Sequence, residues 1–185
     1  AATLSGLNLI WNLRLTKNRL RELASRIGAD VPYLLQGGLA VGTGKGDVIR
    51  LLPNQHQGFF VLLDIPHSFT EKTKRLYDSL TPSLYTTGLN VDTFIKQNED
   101  GIYSFASLFN VFTQLAEISF PDLSYYQKSL YELGCSYVSL SGTGPTLFAP
   151  LENRGDAMRV RDSLLLRGIN AYCVQSMLPE SVSND

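Results

Sequence analysis

Between Phe59 and Gln175 the chain alternates short apolar runs with helix-period segments in an order that few folds accept. Phe59 to Leu63 reads as a buried strand, and a helix follows at about 70–80. Ser104 to Ile118 is amphipathic, with Phe105, Leu108, Phe109, Phe112, Leu115 and Ala116 on one face, and predicts a second helix. Asp122 can cap a third that runs to Leu133. Tyr137 to Leu140 and Thr146 to Ala149 predict strands on either side of Ser141-Gly142-Thr143-Gly144-Pro145. Asp156 to Arg167 predicts a helix ended by Gly168, and Ala171 to Gln175 the last strand. With the two middle helices set aside as an insertion, the order is β-α-(αα)-β-β-α-β. That is the split βαβ, ferredoxin-like order, so the expected fold class is α+β.

The front of the chain follows a different plan. Leu4, Leu7, Ile10 and Trp11 fit one face of a helix. Leu20, Leu23, Ala24 and Ile27 fit another, with Thr16 as N-cap and Gly28 as stop. A turn, Gly28-Ala29-Asp30-Val31-Pro32, leads into a short apolar piece from Val31 to Leu35. Residues 37–46 then hold five of the fifteen glycines and predict a strand, a glycine-rich turn and a return strand at Val48 to Leu52. Pro53 to Gly58 is polar and breaks the pattern, so the domains are expected at 1–57 and 58–185.

Charge and cysteine usage exclude several functions. Sixteen Lys+Arg stand against seventeen Asp+Glu. That balance argues against a nucleic-acid arm or a polybasic membrane anchor, because either needs a concentrated positive field. The longest apolar run is five residues, far below the roughly 18 that span a bilayer. His56, His67, Cys135 and Cys173 are scattered singly, whereas a zinc site wants paired ligands. The cysteines read as free thiols, with a Cys135–Cys173 disulfide as the alternative, and the histidines as surface residues. The expected compartment is reducing and cytoplasmic.

Two glycine loops could cradle phosphate, since glycine lets backbone N–H groups approach an anion. Gly44-Lys45 fails as a Walker loop, because Leu39 stands where its first glycine belongs and Gly46 where Ser or Thr belongs. It also fails as a dinucleotide fingerprint, because Asp47 replaces the last glycine. The second loop, Ser141 to Pro145, fails as a hydrolase elbow, because Ser139 occupies the first glycine position. A phosphate-side loop and a plain turn both remain open there. Asp30 reads either as a helix N-cap, with Pro32 two places on, or as a general base for a reacting hydroxyl.

Taken together, Gly28-Ala29-Asp30-Val31-Pro32, then Gly37 through Gly46, then Ser139-Leu140-Ser141-Gly142-Thr143-Gly144-Pro145-Thr146 resemble the GHMP small-molecule kinases from Ala1 to about Val174. The nearest branch acts on a diphosphocytidyl-methylerythritol alcohol. The resemblance implies the remnant of an ATP-binding N-terminal domain in 1–57 and a ferredoxin-like C-terminal domain with inserted helices in 58–185. It implies phosphoryl transfer from ATP, with Mg²⁺, to a hydroxyl of 4-diphosphocytidyl-2-C-methyl-D-erythritol in non-mevalonate isoprenoid synthesis. The implied setting is a bacterial-type cytoplasm, or a plastid in a plant. Asp30 matches the family's catalytic aspartate, and Gly142, Thr143 and Gly144 match the loop near the phosphates. Thr73 and Tyr77 resemble a substrate-side pair, one touching methylerythritol and one stacking on cytosine. Their spacing puts both on one helix face, which also suits a surface Thr and a half-buried Tyr. After Asn110, where the family commonly has an acidic residue, stand Val111 and Phe112, so no polar role is expected near Asn110.

In this family a glycine- and serine-rich ATP loop runs into a segment like Ala1 to Leu4, and a lysine-bearing strand lies further upstream. Neither is in these 185 residues, and no metal ligands are identifiable. The expectation is a chain that is inactive by itself, because removing even one donor of that kind costs on the order of 10²–10³ in rate. Apolar surface around Leu7 and Trp11 is expected to favour self-association. Two other readings stand beside this one. One is a GHMP kinase of the homoserine or mevalonate type. The other is a non-catalytic ferredoxin-like binding module, in which Asp30 is a cap and the glycine loops are turns.

Overall fold

The structure is a computed structural model and describes residues 1–68 and 70–179. The chain divides into two compact units. The first holds residues 1–57, 98–101 and 177–179, the second 58–97 and 102–176. The linear division at 57/58 assigns 98–101 and 177–179 to the second part; here they group with the first.

In the first unit, helices α1 (Ala2–Ile10), α2 (Lys17–Ser25) and α3 (Val31–Gln36) precede a hairpin of β1 (Ala40–Thr43) and β2 (Val48–Leu51). Thr16 caps α2 by accepting from the Arg19 amide, and Asn8 holds both the N–H and the C=O of Leu15. Helix α2 stops at Ser25, short of Gly28, which leaves Ile27 exposed. Leu7 is half-buried, so the exposed apolar surface of α1 lies instead at Leu9, Ile10 and Trp11, the last 63% exposed. The hairpin is closed by Gln55, whose amide donates to the carbonyls of Leu39 and Leu52 and accepts from the Leu39 N–H.

Gly38, at φ 74°, sits against this clasp. A Cβ there would lie 2.7 Å from Gln55 Oε1 and 2.8 Å from Pro179 Cδ. Left-handed strain and overpacking act together, so Gly38→Ala is expected to destabilise the protein by about 2–4 kcal/mol in urea unfolding.

The second unit is built on strands β3 (Phe59–Leu63), β4 (Ser139–Leu140), β5 (Leu147–Leu151) and β6 (Ala171–Gln175). They pair antiparallel in the order β4-β5-β3-β6, the ferredoxin-like order anticipated from the sequence. Val61 faces both Ala149 and Cys173 across the sheet. Val61, Leu63, Leu147 and Ala149 are wholly buried with Ala157, Val160 and Leu164 of α8 (Arg154–Leu166) and with Leu123 and Leu130 of α7 (Leu123–Glu132). Because side chains alternate along a strand, Phe60 faces away from that core, where its ring meets Phe105 and Phe148 edge-on.

That use of Phe105 explains the main departure from sequence expectation. Residues 104–112 are turns and irregular chain, and α6 begins only at Thr113, ending at Ser119. Asn110 interrupts the helical periodicity: its side chain accepts from the Phe112 N–H, and its carbonyl accepts from the Thr113 hydroxyl. Asparagine competes in this way with helical backbone bonds. Between β3 and α6 lie α4 (Lys72–Asp78), a 3₁₀ turn at Pro82–Leu84 and α5 (Leu89–Glu99), and α7 follows before β4. Helix α5 has no strong sequence signal, since Leu89 and Val91 are exposed. Helix α7 packs against β5, so the insertion is α4 to α6.

Cys135 and Cys173 are free. Burial pushes the Cys135 thiol up to about 11, with Arg159 opposing the shift. At pH 8 only about one molecule in 10³ then holds a Cys135 thiolate, the form that reacts. Native protein treated with iodoacetamide at pH 8 is therefore expected to stay unmodified at Cys135, as read by peptide mass.

Candidate active site

The Ser141–Pro145 loop joins β4 to β5. It closes on itself through Ser141 N–H to the Thr146 carbonyl (2.9 Å) and Gly144 N–H to the Ser141 carbonyl (2.9 Å). Gly142 and Gly144 take φ of 56° and 76°, which glycine adopts without strain. Thr143 is buried at 8% exposure. Among the described residues, the N–H groups of Gly142 and Thr143 donate to nothing. Two side chains hold the loop from outside. Asn110 Nδ2 donates to the carbonyls of Leu140 (3.0 Å) and Gly142 (2.8 Å). Lys72, the first residue of α4, donates its ammonium to the Gly144 carbonyl.

Lys72 brings α4 to the loop, and with it both sequence-selected residues of that helix. Thr73 is exposed, and its side chain makes no hydrogen bond among the described residues. Tyr77 is 58% exposed, and its ring packs edge-on against Phe112 with centroids 4.9 Å apart. The second unit therefore gathers Gly142, Thr143, Gly144, Thr73 and Tyr77 into one neighbourhood and adds Lys72 and Asn110. The expectation of no polar role near Asn110 is overturned, because Asn110 is the loop's main side-chain support. On the proposed helix Asn110 falls opposite the apolar face, where a polar residue is expected, so periodicity gives no signal for it. Nothing in the sequence marks Lys72, whose role depends on how α4 docks.

Asp30 belongs to the first unit. It occupies the N-cap position of α3, with Pro32 in the first turn, but its side chain makes no capping bond. The carboxylate is exposed and, among the described residues, has no hydrogen bond or ion pair. The plain capping role is thus not what this side chain does.

Residues 92–170 match the family described as GHMP kinases C terminal. The chain carries a GHMP kinase C-terminal domain. Along 97% of its length the chain is 35% identical, over 183 residues, to 4-diphosphocytidyl-2-C-methyl-D-erythritol kinase of Dehalococcoides mccartyi. It is 30% identical over 177 residues, 95% of the chain, to the protein of that name from Geobacillus kaustophilus. The chain spans 63% and 58% of the lengths of these relatives. Among solved structures, a 4-(cytidine 5'-diphospho)-2C-methyl-D-erythritol kinase superposes with TM-score 0.73 at 23% identity, covering 92% of this chain and 60% of that one. Homoserine kinase from Cytophaga hutchinsonii gives 0.69 at 16%, covering 97% and 64%. These structural likenesses establish the GHMP kinase fold. Among the described residues, no three His, Cys, Asp or Glu side chains come together to hold a metal. No helix of the described residues is long and apolar enough to cross a membrane.

Proposed function

We propose that the protein carrying this chain is an ATP-dependent kinase that phosphorylates a hydroxyl of 4-diphosphocytidyl-2-C-methyl-D-erythritol, in isoprenoid precursor synthesis. The observation that carries this reading is the 35% identity to a kinase of that name along 97% of the chain. In this reading residues 1–57 are the C-terminal part of the ATP-binding domain, and 58–185 are the C-terminal domain.

The acceptor hydroxyl oxygen attacks the γ-phosphorus. The bond from that phosphorus to the β–γ bridging oxygen breaks, and ADP leaves with the electron pair. The hydroxyl proton passes to Asp30, whose carboxylate is exposed and has no described partner that would compete for it. Phosphoryl transfer is mostly positioning and charge stabilisation. The uncommitted N–H groups of Gly142 and Thr143 are suited to phosphate oxygens, and the Lys72 ammonium holds the Gly144 carbonyl of the same loop. Thr73 is assigned to the methylerythritol side and Tyr77 to stacking on cytosine, with Phe112 bracing its ring. Mg²⁺ enters only as the ion that ATP carries. Among the described residues none is assigned to hold it, and no step here depends on it. The bacterial relatives support a cytoplasmic setting, and the exposed Leu9, Ile10 and Trp11 support self-association.

The test, on the whole protein that carries this chain, is transfer of labelled γ-phosphate to three alcohols in parallel. The diphosphocytidyl alcohol is expected to react with kcat/KM at least about 100-fold above homoserine and mevalonate. Preference for either of those assigns another branch of the family, and transfer to none of the three overturns the kinase reading.

A further inference from the structure

We propose that Asn110 is a positioning residue that aims the Thr143 N–H and, with the same side chain, holds the aromatic shelf under Tyr77; this rests on the kinase reading above. A side-chain amide has two N–H donors and one carbonyl acceptor. Asn110 commits them to three different backbone groups. Its nitrogen donates to Leu140 O at 3.0 Å and Gly142 O at 2.8 Å, and its oxygen accepts from Phe112 N at 2.9 Å. Asp keeps the acceptor and lacks the donors, and Ala lacks all three.

The consequence follows from peptide planarity. In a trans peptide the C=O and the next N–H point in opposite directions. Both peptides that Asn110 holds are trans, because the described cis bond is Gly144–Pro145. Fixing the Leu140 carbonyl turns the Ser141 N–H to the far side, where it closes the loop on Thr146 at 2.9 Å. Fixing the Gly142 carbonyl likewise turns the Thr143 N–H away from Asn110, where no described acceptor meets it. One peptide plane is thus spent on loop closure, and the other presents a free donor. Lys72 adds a third fixed carbonyl at Gly144, and that carbonyl precedes a proline with no N–H to aim.

The acceptor side is held through Phe112. Its N–H is bound by Asn110 Oδ1, its side chain is buried, and its ring meets Tyr77 edge-on at 4.9 Å. The donor loop and the Tyr77 shelf therefore share one anchor. A change at Asn110 should disturb both, and each through geometry rather than through contact with substrate.

The experiment compares the whole wild-type protein that carries this chain with its Asn110→Asp variant, using amide NMR during ATP titration, steady-state kinetics and thermal unfolding. In wild type the Thr143 N–H and the Asn110 side-chain NH₂ resonances are expected to shift with ATP. In Asn110→Asp the Thr143 response is expected to be lost. There kcat should fall by about 10–100-fold, with the KM for the alcohol rising less than about threefold. An unchanged Thr143 response or a kcat within twofold of wild type overturns the proposal, and so does a lowered Tm with normal kcat. If Asn110→Asp does not fold, the wild-type measurement decides, because ATP binding without a shift at Thr143 or at the Asn110 NH₂ also overturns it. Wild type that neither binds ATP nor turns over instead defeats the kinase reading, which separates the two failures.

Discussion

Asp30→Asn is expected to lower kcat for phosphorylation by about 10²–10⁴-fold, the usual contribution of a positioned acid or base, and to leave ATP affinity within about threefold. The substitution keeps shape and hydrogen-bonding reach and removes the basic oxygen, so it isolates proton acceptance. What makes the expectation sharp is how little else the side chain does. It stands at the N-cap of α3 without a capping bond, exposed and without a described partner. Asparagine is as good an N-cap as aspartate. The remaining loss is one negative charge near a helix start, at most about 1 kcal/mol. Thermal unfolding should therefore barely move while turnover collapses. A kcat within about tenfold of wild type would remove Asp30 from proton transfer. A large drop in Tm would mean that the aspartate is held by contacts the present geometry does not contain.

The parts legible in the sequence were those fixed by local periodicity or by turn chemistry. Phe59–Leu63 and Ala171–Gln175 are strands at the bounds read from their apolar runs: β3 lies in the sheet interior, and the edge strand β6 pairs with it along its whole length. The ferredoxin-like order follows once those strands are in place. Thr16 caps α2 as its position suggests. Illegible were the places where one polar side chain overrides a run of apolar ones. Phe105 to Ala116 has helical spacing, yet Asn110 binds the Phe112 N–H and stops the helix from forming before Thr113. The same amide then does what periodicity cannot encode, reaching 30 and 32 residues onward to the Leu140 and Gly142 carbonyls. Helix α5 was missed for the opposite reason. Much of its apolar content is exposed, so its pattern carries no buried stripe. Of the candidate site, the residue types at Asp30, Thr73, Tyr77 and Gly142–Gly144 were legible through motif resemblance. Lys72 and Asn110 needed the packing of α4 and of the 104–112 turns.

Gly144→Ala should cost about 2–5 kcal/mol of folding stability and Gly142→Ala only about 1–2 kcal/mol, although the two glycines stand two positions apart in one loop. Both have positive φ, 56° at Gly142 and 76° at Gly144, so both variants carry left-handed strain. They differ in what a methyl group meets. Around Gly142 no heavy atom lies within 4 Å of the added Cβ. At Gly144 the Cβ would stand 2.6 Å from Leu140 Cδ1 and 3.1 Å from Leu140 Cγ. Leu140 cannot swing aside at little cost, because it is 4% exposed and belongs to the core packed on the sheet, paired with Leu147. Its carbonyl is also held by Asn110. The overpacking term of about 1–3 kcal/mol therefore applies to one variant alone. Comparing two Gly→Ala changes removes a common uncertainty, since each restricts the unfolded chain by a similar amount. Urea unfolding of the pair measures the difference directly. A gap of at least about 1 kcal/mol is expected, and equal losses would mean that the loop is not seated on Leu140 and that the donor geometry at Thr143 needs another support.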